Sequence, residues 1–294
     1  MTLAVGRLAP TPSGRLHLGN LTAFAAAWLS VRQAGGELVL RVEDVDQGRA
    51  RQEIEDSLRE DLLWMGLTWD RETPRQSARD YQPALNLLRD RLYRCTCTRR
   101  ELAARGGRCG CAHASHTEGA VRFRLAPGPR RVEDRAWGVR EVPPDAMVDP
   151  TLVRRDGVPT YSLAVVWDDL CDGVTEVVRG ADLLEFSGVQ AQLWEALGGR
   201  EPSWLHAPLI LGPDGRKLSK SHGALELAAM RAAGWEPARL WPIVLSWLGL
   251  RAEGLEAAIP RFRPSGVPRA AVQLERLAPQ ALRWRWAEVT VGEG

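Results

Sequence analysis

The sequence predicts an α/β fold built on a parallel sheet, and three observations predict it. Apolar strand-like stretches alternate with stretches of helical spacing through residues 3–66, and the same pattern returns after residue 176. Glycines and prolines punctuate the joins. The 294 residues are 45% hydrophobic and 26% charged, an ordinary globular balance with ample material for more than one domain.

Residues 3–8 form a buried first strand, and Ala9 to Gly14, with two prolines and a glycine, form a loop. From Leu18 the apolar spacing turns helical through Leu21, Phe24, Ala25, Trp28 and Leu29, until Gly35-Gly36 ends it. Residues 37–42 form a second strand, followed by the acidic segment Glu43-Asp44-Val45-Asp46. Residues 49–66 read as an amphipathic helix with Ile54, Leu58, Leu62 and Met65 on one face. Strand, loop, helix, strand, helix is the pattern of a parallel sheet with crossover connections.

The middle differs. A helix over 84–93 runs into the cysteine segment, and residues 121–125 alternate as a strand. Residues 126–150 read as surface loops around short strands, and Val153 to Val165 as a hairpin turning at Asp156-Gly157. Strand 176–179, a helix near 182–197 and the apolar run 207–211 restore the parallel pattern. Helices over 224–233 and 237–250 follow, then a proline-broken tail bearing Trp and Arg. The expected division is 1–93, an inserted subdomain 94–150, 151–222, and a helical region 223–294.

Charge and cysteine usage narrow the function. The net charge is only +2, so a nucleic-acid partner requires a local basic surface. No run of 18 apolar residues occurs and the first residues lack a signal pattern, so a cytoplasmic location, with no membrane partner, is expected. Cys95, Cys97, Cys109 and Cys111 cluster within 17 residues, which in a cytoplasmic chain argues for metal over disulfides. Cys95 and Cys97 form one half of a site; Cys109, Cys111 and His113 offer the other. Zinc takes four N or S ligands, so the expectation is structural Zn²⁺ on four of these five. The lone Cys171 reads as a buried core thiol.

The Lys plus Arg count is 39, and only Lys217 and Lys220 are lysines. The chain uses Arg 37 times and keeps Lys twice, three residues apart, in a loop between Gly212 and Gly223. Arg is a rigid fork; Lys is a compact mobile point charge. Two Lys in one loop suit a crowded anion whose charge moves, such as a phosphate in a transition state. The first strand–helix loop supplies a matching anion site. His17, Gly19 and Asn20 stand where helix dipole and backbone N–H groups meet a ligand.

These stretches carry a resemblance. His17-Leu-Gly-Asn20 resembles the HIGH motif, and Lys217-Leu-Ser-Lys-Ser221 the KMSKS motif, of class I aminoacyl-tRNA synthetases. Gly6 to Gly14, Arg41-Val-Glu-Asp-Val-Asp46 and Asp214 to Lys220 are similar to the glutamyl branch. Only 73 residues follow Ser221, which resembles the truncated paralogue family acting on queuosine in tRNA(Asp). Val165, where full-length glutamyl enzymes usually carry Asn, agrees. The family implies a Rossmann-like catalytic domain without an anticodon-binding domain. It implies ATP with Mg²⁺, L-glutamate and tRNA(Asp) carrying queuosine as partners, and a monomer is expected.

The resemblance implies site residues too. Arg7, Leu8, Ala9, Pro10, Thr11, Glu43, Tyr161 and Arg179 would bind glutamate; His17, Gly19, Asn20 and Lys220 would bind ATP; His17, Lys217 and Lys220 would act in catalysis. The family's spacing of the last two zinc ligands points to Cys109 and His113, while Cys111 is equally suited by chemistry. Two rivals stand beside this reading: a short glutamyl-tRNA synthetase charging the 3′ end, and a non-catalytic zinc-braced RNA-binding protein.

Overall fold

The structure, a computed structural model, describes residues 3–46, 48, 51–218, 225–278 and 281–288. Its centre is a pair of sheets set edge to edge. Strands β1 (Val5–Leu8), β2 (Glu37–Leu40) and β3 (Arg71–Glu72) pair in parallel in the order β1-β2-β3. Helix α1 (Leu18–Gln33) crosses between β1 and β2, and α2 (Gln52–Trp64) between β2 and β3. Gly35, at φ +64°, ends the first crossover in the left-handed region that glycine occupies at little cost.

Ten of the sixteen residues of α1 are buried, including Leu18, Leu21, Trp28, Leu29 and Val31. A helix apolar on nearly every side belongs in a core. It packs beneath the first sheet and against a C-terminal helix in the main hydrophobic cluster.

The middle of the chain departs from the sequence reading in two places. Helix α3 (Gln82–Leu88) stops early, and β4 (Leu92–Cys95), not a helix, leads into the cysteines. Beyond a short α4 (Arg99–Ala103), β5 (Ala120–Phe123) pairs antiparallel with β4, Cys95 opposite Ala120. Strands β6 (Arg130–Asp134) and β7 (Gly138–Val142) make an antiparallel hairpin. The expected hairpin over 153–165 keeps its turn at Asp156-Gly157, closed by Arg154 N–H on the Val158 carbonyl (2.9 Å) and a bridge from Val153 to Pro159 after β8 (Thr151–Val153), but its second arm gives way to helix α5 (Tyr161–Cys171). Leu163, Ala164, Val165 and Val166 are all buried, so the run shows no period to separate helix from strand.

The second sheet is mixed. Strand β9 (Glu176–Gly180) pairs in parallel with β10 (Ser203–Ala207) across helix α6 (Phe186–Ala196), and β10 pairs in parallel with β6 at Trp204 and Asp134. Thus β6, expected in the inserted subdomain, lies in the same sheet as β9 and β10. Strand β9 lies alongside β1, joined where Thr175 donates its N–H to the Val5 carbonyl (2.9 Å). The chain therefore builds outward in opposite directions from β1 and β9. Open α/β sheets bind ligands beyond the carboxyl ends of the strands at such a reversal.

The C-terminal part begins as expected with α7 (Leu227–Ala232) and α8 (Pro237–Trp247), and a short α9 (Leu255–Ala258) follows. It then departs from an all-helical reading. Strands β12 (Ala271–Ala278) and β13 (Ala281–Ala287) form an antiparallel hairpin, and β12 pairs with β11 (Ile210–Leu211). Cys171, expected to be buried, is exposed. Among the described residues no helix is long and apolar enough to cross a membrane.

Candidate active site

A cavity of about 360 Å³ opens where β1 and β9 end. From the first strand and loop, Arg7, Ala9, Pro10 and Thr11 line it. Leu8, expected with them, is 0% exposed and belongs to the core, because neighbours on a strand point to opposite faces. Glu43, Tyr161 and Arg179 line the same cavity, as do His17, Gly19, Asn20 and Lys217 at its other end. Lys220 lies outside the described residues.

His17 caps α1. Its Nδ1 accepts from the backbone N–H groups of Gly19 (3.1 Å) and Asn20 (3.4 Å), while Asn20 Oδ1 accepts from the His17 N–H (3.1 Å). With Nδ1 spent as an acceptor, the neutral ring carries its proton on Nε2. A side chain at Gly19 would place its Cβ 3.0 Å from the His17 ring, so glycine there lets the cap close. The imidazole thus aligns the helix and lines the cavity at once. Lys217 pairs with Asp182, which also lines the cavity, and bridges to Leu211.

The deep end holds buried charge. Arg7 donates to Asp169 (3.3 Å) and to the Val178 carbonyl (2.9 Å). Arg41, 0% exposed, donates to Asp169 (2.6 Å) and Glu43 (3.3 Å). Burial works against its charge, yet Asp169, Glu43 and Asp168 outweigh that and hold its pKa above the ordinary value. Burial likewise pushes the Glu43 carboxyl up, against the pull of Arg41 and Arg7. Asp168 rises to about 6 by desolvation despite Arg41 and Arg79.

Arg179 differs from its neighbours: among the described residues it makes no ion pair. Its Nε donates to His206 Nε2 (2.9 Å), Nη1 to Gln190 Oε1, and Nη2 to Ser187 Oγ (2.7 Å) and the Leu183 carbonyl (3.0 Å). All four acceptors are neutral. The guanidinium also lies over the Trp204 ring, 4.9 Å from its centroid. Burial lowers its pKa.

Behind it, His206 Nδ1 donates to Asp134 Oδ2 (2.7 Å), and Asp134 Oδ1 accepts from the N–H groups of Ala136 and Trp137 (both 2.8 Å). A carboxylate only accepts, so the His206 proton sits on Nδ1 and Nε2 is left to receive Arg179. Burial drives the His206 pKa down to about 4 and keeps the ring neutral. The result is a buried cation oriented on every nitrogen with its charge not cancelled by contact. Such a group calls for a carboxylate from the ligand.

Sequence reasoning missed Asp134, His206, Ser187 and Gln190. The one available signal was a histidine inside the apolar strand Trp204-Leu-His-Ala207. Its partner Asp134 lies 72 residues away, on a stretch expected to be loop and short strands.

The cysteine cluster lies apart, at the end of β4. The sulfurs of Cys95, Cys97, Cys109 and Cys111 all fall within 4.8 Å of one another, and Cys97 Sγ is 3.6 Å from Cys111 Sγ. A ZnS₄ tetrahedron with bonds of about 2.3 Å has sulfur–sulfur edges of about 3.8 Å, so the donor set fits zinc. His113 is exposed and is not in the cluster. Burial and the Cys111 thiol push the Cys97 thiol up, whereas at Cys111 burial is outweighed by the Thr96 backbone and neighbouring thiols, which bring it down.

Comparison with known proteins follows the same lines. The family model described as tRNA synthetases class I (E and Q), catalytic domain, matches residues 4–120 and 111–263. A Glutamyl-Q tRNA(Asp) synthetase of Symbiobacterium thermophilum is 39% identical, over 92% of this chain and 95% of its own. One from Xanthomonas campestris pv. campestris is 42% identical, over 90% and 94%. Among solved structures, a glutamate-tRNA synthetase from Elizabethkingia anophelis is similar at TM-score 0.79 and 26% identity, covering 92% of this chain and 68% of that one.

Proposed function

This chain belongs to the class I tRNA synthetase family of the E and Q type, and from that membership we propose that it activates glutamate with ATP and passes the glutamyl group to queuosine in tRNA(Asp). The observation that carries the amino-acid assignment is Arg179, a buried guanidinium held only by neutral acceptors. It suits the side-chain carboxylate of glutamate and disfavours the neutral amide of glutamine. Glu43, at the boundary of the cavity, takes the ammonium, and Arg7 adds positive charge beside the carboxylates.

In the first half-reaction an oxygen of the glutamate α-carboxylate bonds to the α-phosphorus of ATP, supplied as its Mg²⁺ complex. The bond to the β-phosphate oxygen breaks and pyrophosphate leaves with the electron pair. Positioning and charge stabilisation do most of the work. His17 presents its Nε2 proton and the α1 N-terminus to the phosphates; Lys217, with Lys220 from the same loop, meets the charge building on them. In the second half a ring hydroxyl of queuosine bonds to the acyl carbon. The bond to the phosphate oxygen breaks, AMP leaves, and the hydroxyl proton passes to solvent.

A zinc ion on Cys95, Cys97, Cys109 and Cys111 would brace the loop between β4 and β5 and take no part in the chemistry. The test of function is transfer of labelled glutamate, with ATP, to tRNA(Asp) with and without queuosine, beside unmodified tRNA(Glu). Label on the queuosine-bearing tRNA alone is expected. A labile ester on the 3′ end of tRNA(Glu) would establish the rival synthetase, and absence of ATP–pyrophosphate exchange would remove catalysis altogether.

A further inference from the structure

Beneath the floor of the cavity runs a chain of four buried charges of alternating sign. Arg7 donates its Nε–H to Asp169 Oδ1 (3.3 Å), the same oxygen accepts from Arg41 Nη1 (2.6 Å), and Arg41 Nη2 donates to Glu43 Oε1 (3.3 Å). Arg41 directly follows β2, and Asp169 comes from α5. The two ends of the chain, Arg7 and Glu43, line the cavity; Arg41 and Asp169 do not. The four charges cancel as a whole, yet they present a cation at one end and an anion at the other. An α-amino acid brings the complementary pair, a carboxylate and an ammonium on one carbon.

Arg41 sits at the centre of this chain. It is 0% exposed, its Nε has no partner among the described residues, and its Nη atoms face carboxylates: Asp169, Glu43 and, at 3.4 Å, Asp172. A guanidinium that leaves one buried donor unsatisfied while it faces three carboxylates is placed by their charge. Glu43 depends on that placement. Burial works against its ionised form, and Arg41 opposes this most, ahead of Arg7. Arg41 takes Glu43 Oε1, while Oε2 has no partner among the described residues and is left for the ligand. Arg7 is secured separately, by Asp169 and by the Val178 carbonyl (2.9 Å).

We propose that Arg41, without touching the ligand, is the positioning residue for ammonium recognition: anchored on Asp169, it holds the Glu43 carboxylate toward the cavity and makes the site select an α-amino acid over a dicarboxylate of the same length that lacks the amine. This inference rests on the function proposed above and deepens it. Without the guanidinium, Glu43 is a buried carboxylate stripped of its counter-charge; it takes a proton instead and no longer attracts an ammonium. The carboxylate contacts of the ligand stay, because Arg7 and Arg179 are held by other groups.

The experiment measures ATP–pyrophosphate exchange of the full chain with glutamate varied, and with glutarate, the amine-free analogue, as competing inhibitor. Wild type, Arg41→Lys, Glu43→Gln and the double variant are compared. Lys keeps a positive charge among the buried carboxylates, which guards the fold, but its single ammonium ends short of the two Nη positions and cannot hold Asp169 and Glu43 together. Arg41→Lys is expected to raise the glutamate KM roughly tenfold or more, the worth of one bond to a charged group. The glutarate inhibition constant and the KM for ATP should stay within about threefold of wild type. In the Glu43→Gln background the same substitution should change the glutamate KM less than about threefold, because the group it acts through is gone. A near-normal glutamate KM in Arg41→Lys, an equal weakening of glutarate, or the full loss repeated in the Glu43→Gln background overturns the role of Arg41 while the function stands. A wild-type protein without glutamate-dependent exchange overturns the function, and this inference with it.

Discussion

Replacing Asp134 by Asn changes a proton more than a shape. The Asn carbonyl can still accept from the N–H groups of Ala136 and Trp137, which Asp134 Oδ1 now does at 2.8 Å. Its amide then faces His206 Nδ1 as a donor. The imidazole must answer with a lone pair on Nδ1, which moves its proton to Nε2, against the Arg179 Nε–H now 2.9 Å away. Two donors meet where a bond had been. Asp134 is 2% exposed and His206 0%, so water offers little relief. Losing one hydrogen bond to a charged group costs about 1.5–3 kcal/mol, or roughly 10- to 150-fold in kcat/KM for glutamate. The assay is ATP–pyrophosphate exchange with glutamate varied at saturating ATP, then the converse. The loss should fall on glutamate, with the KM for ATP within about threefold of wild type. A folded variant with glutamate kinetics within twofold of wild type would refute the relay from Asp134 through His206 to Arg179.

Three further outcomes follow from the same geometry. His206 has a folded pKa of about 4, below its ordinary value of about 6.5; below pH 6.5 the unfolded chain takes a proton the folded chain refuses, so stability falls as pH drops across that window, by up to about 3 kcal/mol. Thermal melts of wild type against His206→Gln isolate this effect from Asp61 and Asp168, which shift the opposite way, and the gap should narrow from pH 6.5 to pH 4. Lys217→Met should lower the kcat of exchange by roughly 10- to 150-fold, the worth of one charged contact of about 1.5–3 kcal/mol, and a near-normal rate would remove Lys217 from the phosphate end. Metal analysis should find one zinc per chain in wild type and His113→Ala but a marked loss in Cys111→Ser; the reverse order would place His113 in the site.

The first half of the sheet was legible because its signals are local. A glycine pair ends α1, helical spacing marks α1 and α2, and one loop carries the motif that caps a helix. Most of the residues expected in the cavity do line it, since short motifs at strand ends are placed by the strands themselves. The illegible parts depend on tertiary context. Residues 161–171 are a helix buried along the run Leu163 to Val166, so they show no face. Leu92 and Tyr93 extend a helical pattern in sequence but pair with β5 in space. In the C-terminal hairpin, β12 is anchored on β11, some sixty residues upstream. Four neutral acceptors around one arginine leave no mark in a sequence, because they arrive from α6, its preceding turn and β10.

Strand β6 bears on how this molecule is divided. It lies in the stretch that also carries the cysteines, yet it contributes Asp134, which holds His206 behind Arg179, and borders β10. The cysteine-bearing loop hangs from the β4–β5 stem, closed where Cys95 meets Ala120. Trimming that loop back to a tight turn would leave His206, Gln190, Ser187 and the Leu183 carbonyl around Arg179 in place, whereas swapping the whole of 94–150 with a relative would import a foreign partner for His206. Chimaeras cut at the apparent module boundary would thus exchange the support of Arg179 along with the cysteine cluster.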